Sequence, residues 1–270
     1  MNSNKLFKYI GIALVMLLVC MTFFTPIPST LKLVIRIFFL IAFFILWRYF
    51  SRRNQIEARD LSFALLVLNL AFLIAMPFTP DFWNLNQETS EGFALIKLSD
   101  SFIISSVIIV SFLLAGYTLK NLYLTKGRLI AGLVTGILFF LLFGYFALNN
   151  PQQKPEAGFV CKNWLWVLLF VIANGFMEEL LFRGALLERL NAFFKPFWSI
   201  LLTSVCFAAP HLTVIYQPNA ILFSGITFIL GMICGYAMQY TKSIIAPMLI
   251  HAGADLMIII PVFATYGVSG

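Results

Sequence analysis

Residues 129–148 read LIAGLVTGILFFLLFGYFAL, a stretch without a charged side chain. It matches the roughly 20 apolar residues that a helix needs to cross a bilayer. The whole chain of 270 residues shares this character, since 61% of its residues are apolar, 11% are charged and the mean hydropathy is +0.95. A water-soluble fold of this length could not bury so much apolar surface, which excludes soluble enzymes, disulfide scaffolds and disordered chains. The sequence therefore predicts an all-α, polytopic transmembrane helical bundle.

Apolar runs divided by short polar gaps predict about eight or nine spans. The predicted helices occupy residues 7–25, 31–49, 61–78, 101–119, 129–148, 162–182, 198–211, 221–240 and 243–262. Turn-forming residues mark several gaps, with Pro26 after the first helix, Pro80 after the third and Asn149 after the fifth. The seventh predicted helix is short for a span, and no gap is long enough to hold a soluble domain.

The net charge of +7 comes from 18 basic residues against 11 acidic ones. The basic side chains fall in alternate gaps, which is the bias of cytoplasmic loops rather than of a nucleic-acid-binding surface. We therefore expect a cytoplasmic N-terminus and no nucleic-acid partner. We also expect a multi-pass protein of a bacterial or archaeal cell membrane. The basic side holds Lys5, Lys8, Arg48, Arg52, Arg53, Arg59, Lys120, Lys126, Arg128, Arg183, Arg189, Lys195 and Lys242.

A few polar residues inside or beside the spans have simple structural interpretations. Lys32 and Arg36, near the start of the second predicted helix, are expected to extend their charged ends to the outer interface. Asn69 in the third is expected to form a hydrogen bond between helices. The four cysteines are scattered singly, so neither a structural zinc site nor a disulfide framework is indicated.

The end of the sixth predicted helix, residues 174–184, reads NGFMEELLFRG and places two adjacent carboxylates in an apolar run. Charges inside a bilayer are costly and usually mark a functional site. Glu179 and Arg183 share a helix face at i, i+4 and can form a pair. Glu178 points about 100° away from Glu179 around the helix. We therefore expect Arg183 to neutralise Glu179 while Glu178 faces a cavity.

The only two histidines in the sequence also fall in apolar segments. His211 ends the seventh predicted helix, and His251 shares a helix face with Asp255 at i, i+4. These groups and Glu178, on three helices near the C-terminus, predict one convergent polar site. As the helices are drawn, His211 lies near the outer surface and Glu178 near the inner one. A bend at Pro210 would bring them level.

Three motifs now stand in series. Glu178-Glu179-x-x-x-Arg183 is followed by Phe207-x-x-x-His211 and by His251-x-x-x-Asp255. Their order and spacing resemble those of the CAAX-protease and bacteriocin-processing family (CPBP, or Abi) of intramembrane glutamic endopeptidases, which includes the Ras-converting prenyl-protein protease. The resemblance covers residues 159–262 and implies a catalytic helical core there. Residues 1–150 are left as N-terminal transmembrane helices of unassigned role.

The resemblance implies hydrolysis of a peptide bond in a membrane-associated or lipidated protein or peptide. Glu178 and His211 would hold and deprotonate the attacking water, and Glu179 with Arg183 would support their helix. His251, assisted by Asp255, would face the oxyanion. Many members of the family have Asn in place of Asp255. An Asn amide can donate a hydrogen bond to an oxyanion, whereas an ionised Asp cannot.

Metal dependence and two non-proteolytic functions remain as alternatives. Glu178, His211 and His251 are residue types that can ligate zinc, but H-E-x-x-H is absent and the resemblance implies an enzyme without a cofactor. A catalytically silent scaffold or immunity regulator of the same family would tolerate loss of Glu178 or His211. A transporter could use the buried acids and histidines as a proton relay. No second half of the sequence repeats the motifs, as inverted-repeat carriers often do, which disfavours the transporter.

Overall fold

The computed structural model describes residues 3–150, 158–214 and 219–266 as helices joined by short connections, with no strand among them. The α-helices are α1 Ser3–Phe24, α2 Ser29–Arg52, α3 Ile56–Ala75, α4 Pro80–Trp83, α5 Ser90–Leu114, α6 Leu129–Leu148, α7 Phe159–Glu179, α8 Glu188–Leu190, α9 Pro196–Ala208, α10 Ala220–Thr241 and α11 Ile245–Tyr266. A π-helical segment, Leu180–Leu187, joins α7 to α8, and 3₁₀ turns occupy Leu119–Leu122 and Ala209–Thr213.

Seven of these helices are long and apolar enough to cross a bilayer: α2, α3, α5, α6, α7 with its extension to Leu190, α10 and α11. Their outward faces expose large apolar side chains, such as Phe38, Leu114 and Ile130, as expected for surfaces in contact with lipid. The chain is therefore an integral, multi-pass membrane protein, and the predicted helical bundle is confirmed. The short apolar stretch of α1 and the 13 residues of α9 fall below the length of a span.

The fourth predicted helix was wrong at its start, because 101–119 was predicted and α5 runs from Ser90 to Leu114. The Thr89 side chain accepts a hydrogen bond from the Gly92 amide and begins the helix ahead of its first charged residues. The helix ends before Gly116, whose φ of +86° lies in the left-handed region. The predicted bounds leave Lys97 and Asp100 in a loop, whereas both lie in the first half of α5.

Arg36 contradicts the expectation that its charged end lies at the outer interface. Its side chain is fully buried, and Nη2 donates to the Thr22 carbonyl oxygen at 2.8 Å. Nη1 lies 3.5 Å from Asn69 Oδ1, and the guanidinium lies against the rings of Phe23 and Phe72. The last carbonyls of a helix lack intrahelical donors, so Arg36 satisfies the end of α1 and joins it to α3. Asn69 forms the interhelical hydrogen bond that the sequence predicted.

The catalytic-type motifs converge because α7 and its π-helical extension pack among the helices that carry the other motifs. α7 packs against α5 and α11, and α10 packs against α9 and α11. A Cβ atom at Gly175 would lie 3.0 Å from the Met248 carbonyl oxygen and 3.2 Å from the Ala252 amide. Gly175 therefore permits the close approach of α7 to α11 that brings Glu178 and His251 together.

Candidate active site

Glu179 and Arg183 form the buried ion pair that their spacing predicts. Arg183 Nη1 lies 2.9 Å from Glu179 Oε1, and both side chains are fully buried. Arg183 Nη2 donates to the Gly231 carbonyl oxygen at 3.0 Å, and the guanidinium lies 4.7 Å from the centre of the Phe207 ring. The pair spans the junction between α7 and the π-helical segment, a type of irregularity that is common at functional sites. Arg183 thus fixes Glu179 to both α10 and α9.

His251 occupies the centre of the cluster, and the sequence did not predict its contact with Glu179. Nδ1 of His251 lies 2.8 Å from Glu179 Oε1. An ionised carboxylate can only accept hydrogen bonds, so Nδ1 carries a proton and donates it to Glu179. This contact turns Nε2 of the same ring towards Glu178 and Asp255. Glu179 therefore orients the imidazole as well as pairing with Arg183.

The carboxylate of Glu178 is separate from the Glu179–Arg183 pair, as expected from the 100° offset between adjacent helical residues. Glu178 Oε2 lies 3.6 Å from His251 Nε2, and Asp255 Oδ1 lies 3.7 Å from the same nitrogen. These separations exceed those of direct hydrogen bonds and suit groups that share a bridging water or a substrate oxygen. Glu178, His251 and Asp255 thus surround one point at which a reacting atom can bind.

Asn174 is a member of the cluster that the sequence analysis did not identify as a site residue. Its Nδ2 donates to Asp255 Oδ2 at 2.8 Å, and both residues are buried. The signal available in the sequence was an amide one helical turn before Glu178 in an otherwise apolar run. By holding one oxygen of Asp255, Asn174 leaves the other directed towards His251.

His211 approaches the cluster from the opposite side. Its Nδ1 lies 2.8 Å from the Phe207 carbonyl oxygen and therefore carries the donated proton, which leaves Nε2 free to accept one. The Phe207 ring contacts both imidazoles, with its centroid 5.2 Å from that of His211 and 5.4 Å from that of His251. His211 also lies within electrostatic range of Glu178 and His251.

The structure corrects the bounds of the seventh predicted helix, for which the sequence predicts residues 198–211. The α-helix α9 ends at Ala208 and continues as a 3₁₀ turn that contains Pro210 and His211. Its 13 residues extend about 20 Å, less than the roughly 30 Å of the bilayer core. A helix this short does not span the bilayer core by itself.

The donor atoms of the cluster are arranged as an ion-pair and hydrogen-bond network. Within the described residues, no group of three His, Cys, Asp or Glu side chains has the arrangement needed to hold a metal ion.

Residues 160–257 match the model of the Rce1-like family, type II CAAX prenyl endopeptidase Rce1-like. This segment contains all three motifs and every site residue described above. No curated protein and no solved structure matches the chain. The family match confirms the resemblance that the motifs indicated: residues 160–257 of this chain are similar to the CAAX-protease family of intramembrane proteases.

Proposed function

We propose that this protein is an intramembrane endopeptidase that uses Glu178 to activate water against a peptide bond of a membrane-associated or lipidated substrate. The main support is the 3.6 Å separation of Glu178 Oε2 from His251 Nε2 in a buried cluster, inside the segment that matches the protease family. A general base needs a carboxylate that is not held in an ion pair with a guanidinium, and Glu178 meets this condition because Arg183 pairs with its neighbour Glu179.

The proposed reaction begins with a water molecule held between Glu178 and the free Nε2 of His211. Glu178 takes a proton from the water as the water oxygen attacks the carbonyl carbon of the substrate. The carbonyl double bond opens to an oxyanion, which accepts a hydrogen bond from His251 when Nε2 carries a proton. Glu178 then passes its proton to the leaving nitrogen as the carbon–nitrogen bond breaks. The oxyanion re-forms the carbonyl double bond in the same step, and the products are a carboxylic acid, which keeps the second proton of the water, and an amine.

The supporting residues act by keeping these groups in position. Glu179 accepts from Nδ1 of His251 and fixes the orientation of the ring, while Arg183 balances the charge of Glu179. Asp255, held by Asn174, orients the opposite edge of His251. We propose that this chemistry requires no metal, since a carboxylate base and an imidazole donor supply both functions.

The decisive test replaces Glu178 with Gln, which keeps the shape of the side chain and removes the base. Membrane-peptide fragments from cells with the wild-type protein are compared, across the proteome, with those from cells with Glu178→Gln. We expect the fragments produced by this protease to disappear, with cleavage of any substrate so identified falling about 10²- to 10⁴-fold. Glu57→Gln, which changes an exposed glutamate of α3, is the matched control and should leave the fragments unchanged.

The same comparison distinguishes the alternatives. Full biological function of a folded Glu178→Gln or His211→Ala protein would overturn the protease proposal in favour of a scaffold or regulator. A zinc chelator should leave cleavage by the purified protein unchanged. Inhibition by the chelator with recovery on addition of zinc would instead show that the reaction depends on a metal.

A further inference from the structure

A second polar site lies away from the active site, at the ends of α2, α5 and the start of α3. A cavity of about 600 Å³ opens there, and we call it the α2–α3–α5 pocket. Its lining combines apolar and polar side chains: Trp47, Phe63 and Leu114 with Ser51, Arg59 and Tyr117. None of these residues belongs to the segment that matches the protease family. The pocket therefore has no part in the proposed peptide hydrolysis.

Positive charge predominates around the pocket. Residues 48–60 contain four arginines and two carboxylates, and Arg48, Arg52 and Arg53 are exposed at the end of α2. This end of the bundle lies on the side that the distribution of basic residues assigns to the cytoplasm. The cytoplasmic leaflet carries the acidic lipids of a membrane, and basic residues next to a span attract them.

Arg59 is held in place while retaining donors for a ligand. Its Nε and Nη2 contact Asp60 Oδ1 at 2.8 and 2.7 Å, and the hydroxyl of Tyr117 donates to the same oxygen at 2.6 Å. A guanidinium has five N–H donors, so two contacts leave three for a phosphate. Asp60 and Tyr117 thus hold Arg59 in place at the wall of the pocket without using all of its donors.

We propose that the α2–α3–α5 pocket binds one acidic phospholipid of the cytoplasmic leaflet. The phosphate contacts Arg59, and the start of an acyl chain lies against Phe63 and Leu114. A ligand with only a charged group would leave the apolar wall of the pocket exposed to water. A neutral lipid would gain little electrostatic binding energy from the arginines. An amphiphile with a net negative head group matches both parts of the lining.

The test counts lipids bound to the purified, delipidated full chain by native mass spectrometry. The protein is titrated with phosphatidylglycerol and with phosphatidylcholine that carry the same acyl chains. We expect one phosphatidylglycerol molecule to bind tightly and phosphatidylcholine to bind with at least tenfold lower affinity. Arg59→Gln should lower the affinity for phosphatidylglycerol about fivefold, which corresponds to about 1 kcal/mol of binding free energy for one basic residue. Ala115→Trp, which fills the pocket without changing its charge, should weaken it at least as much.

Arg128→Gln is the matched control, because Arg128 is an exposed arginine of the same basic side that lies over the Tyr240 ring, outside the pocket. It should retain phosphatidylglycerol. Equal weakening by Arg128→Gln, or equal binding of both lipids, would overturn the proposal. Displacement of the lipid by glycerol phosphate would indicate a site for free phosphate, and displacement by a soluble acidic peptide would indicate a protein-binding site. If Arg59→Gln does not fold, Ala115→Trp gives the same comparison.

Discussion

Two fully buried arginines, one in each half of the molecule, hold their charges in different ways. Arg36, on α2, donates to the neutral oxygens of Thr22 and Asn69, and within the described part of the chain it has no carboxylate partner. Arg183, in the π-helical segment, pairs with Glu179, which also accepts from His251. Both guanidiniums lie against aromatic rings. The surroundings of Arg36 form an anchor between helices, whereas those of Arg183 form part of a chain of titratable groups.

This difference shows how a buried charge in a membrane protein can be interpreted. Burial alone does not identify a chemical site, because Arg36 is as buried as Arg183. Arg183 is distinguished by the titratable side chains that reach its carboxylate partner from another helix. Proton transfer requires groups that exchange protons with one another, and carbonyl and amide oxygens do not do so at ordinary pH.

The largest expected effect tests the two arginines directly. Arg183→Met leaves the Glu179 carboxylate buried without its cation and should lower the free energy of unfolding by about 3–5 kcal/mol. Arg36→Met leaves only neutral acceptors without a donor and should lower the free energy of unfolding by about 1–3 kcal/mol. Denaturant unfolding of the two variants in detergent micelles measures both values. Arg36→Met should also retain cleavage, whereas Arg183→Met should not.

A double variant determines whether the unpaired carboxylate is the cause. Glu179→Gln combined with Arg183→Met removes both charges and should recover part of the stability lost by Arg183→Met alone. Cleavage should remain absent, because Glu179 no longer accepts from His251 as a carboxylate. Equal destabilisation by Arg36→Met and Arg183→Met would contradict the distinction between the two sites.

A smaller effect is expected at the opposite edge of the cluster, where Asn174 holds Asp255. Asn174→Leu removes a hydrogen bond to a carboxylate and should slow cleavage about 10- to 100-fold, since such a bond contributes about 1.5–3 kcal/mol. Asp255→Asn keeps an acceptor for Asn174 and should lower the cleavage rate less than tenfold, in agreement with the Asn that many family members have there. Cleavage rates of the purified variants measure both effects. A larger loss for Asp255→Asn than for Asn174→Leu would show that the charge of Asp255 is itself required.

The smallest effect concerns Tyr117, which lies between the two halves. Burial and its hydrogen bond to Asp60 raise the pKa of Tyr117 to about 12, and its ring lies 5.3 Å from the guanidinium of Arg189. The unfolded chain loses this proton near pH 10. Stability should therefore fall as the pH rises from about 10 to about 12, because only the native state keeps the proton there. Tyr117→Phe should cost about 1 kcal/mol at neutral pH and flatten this fall.

Unfolding curves at pH 9 to 12 measure the slope, with Tyr145→Phe as the control for an exposed tyrosine. The control should reproduce the wild-type curve. An unchanged slope in Tyr117→Phe would show that the proton of Tyr117 does not contribute to stability.

Local patterns in the sequence predicted most spans and one side of the site. The apolar run at 129–148 has the same bounds in the structure as α6, because its ends coincide with a change in polarity. The Glu179–Arg183 pair also followed from spacing, since both residues lie on one helix. The start of α5 was missed because three charged residues interrupt the apolar run in the first half of the helix, whereas the Thr89 cap begins the helix before them.

The contacts between helices could not be predicted in this way. The hydrogen bond from His251 to Glu179 and that from Asn174 to Asp255 join residues more than 70 positions apart in the sequence. The burial of Arg36 depends on where α1 ends and how α3 packs, and neither is contained in the sequence of α2. Helix periodicity describes one helix at a time and does not specify which faces of two helices meet.

The sequence by itself determined that this chain is a helical membrane protein and which acidic and imidazole side chains are candidates for a polar site among its helices. Composition and motif spacing are properties of the chain and do not depend on how it folds. Only the tertiary structure decided that Glu179 binds both Arg183 and His251, that His251 turns its other nitrogen towards Glu178, and that α9 is too short to span the bilayer core by itself. These features depend on distances between helices, which side-chain packing sets to within a few ångströms.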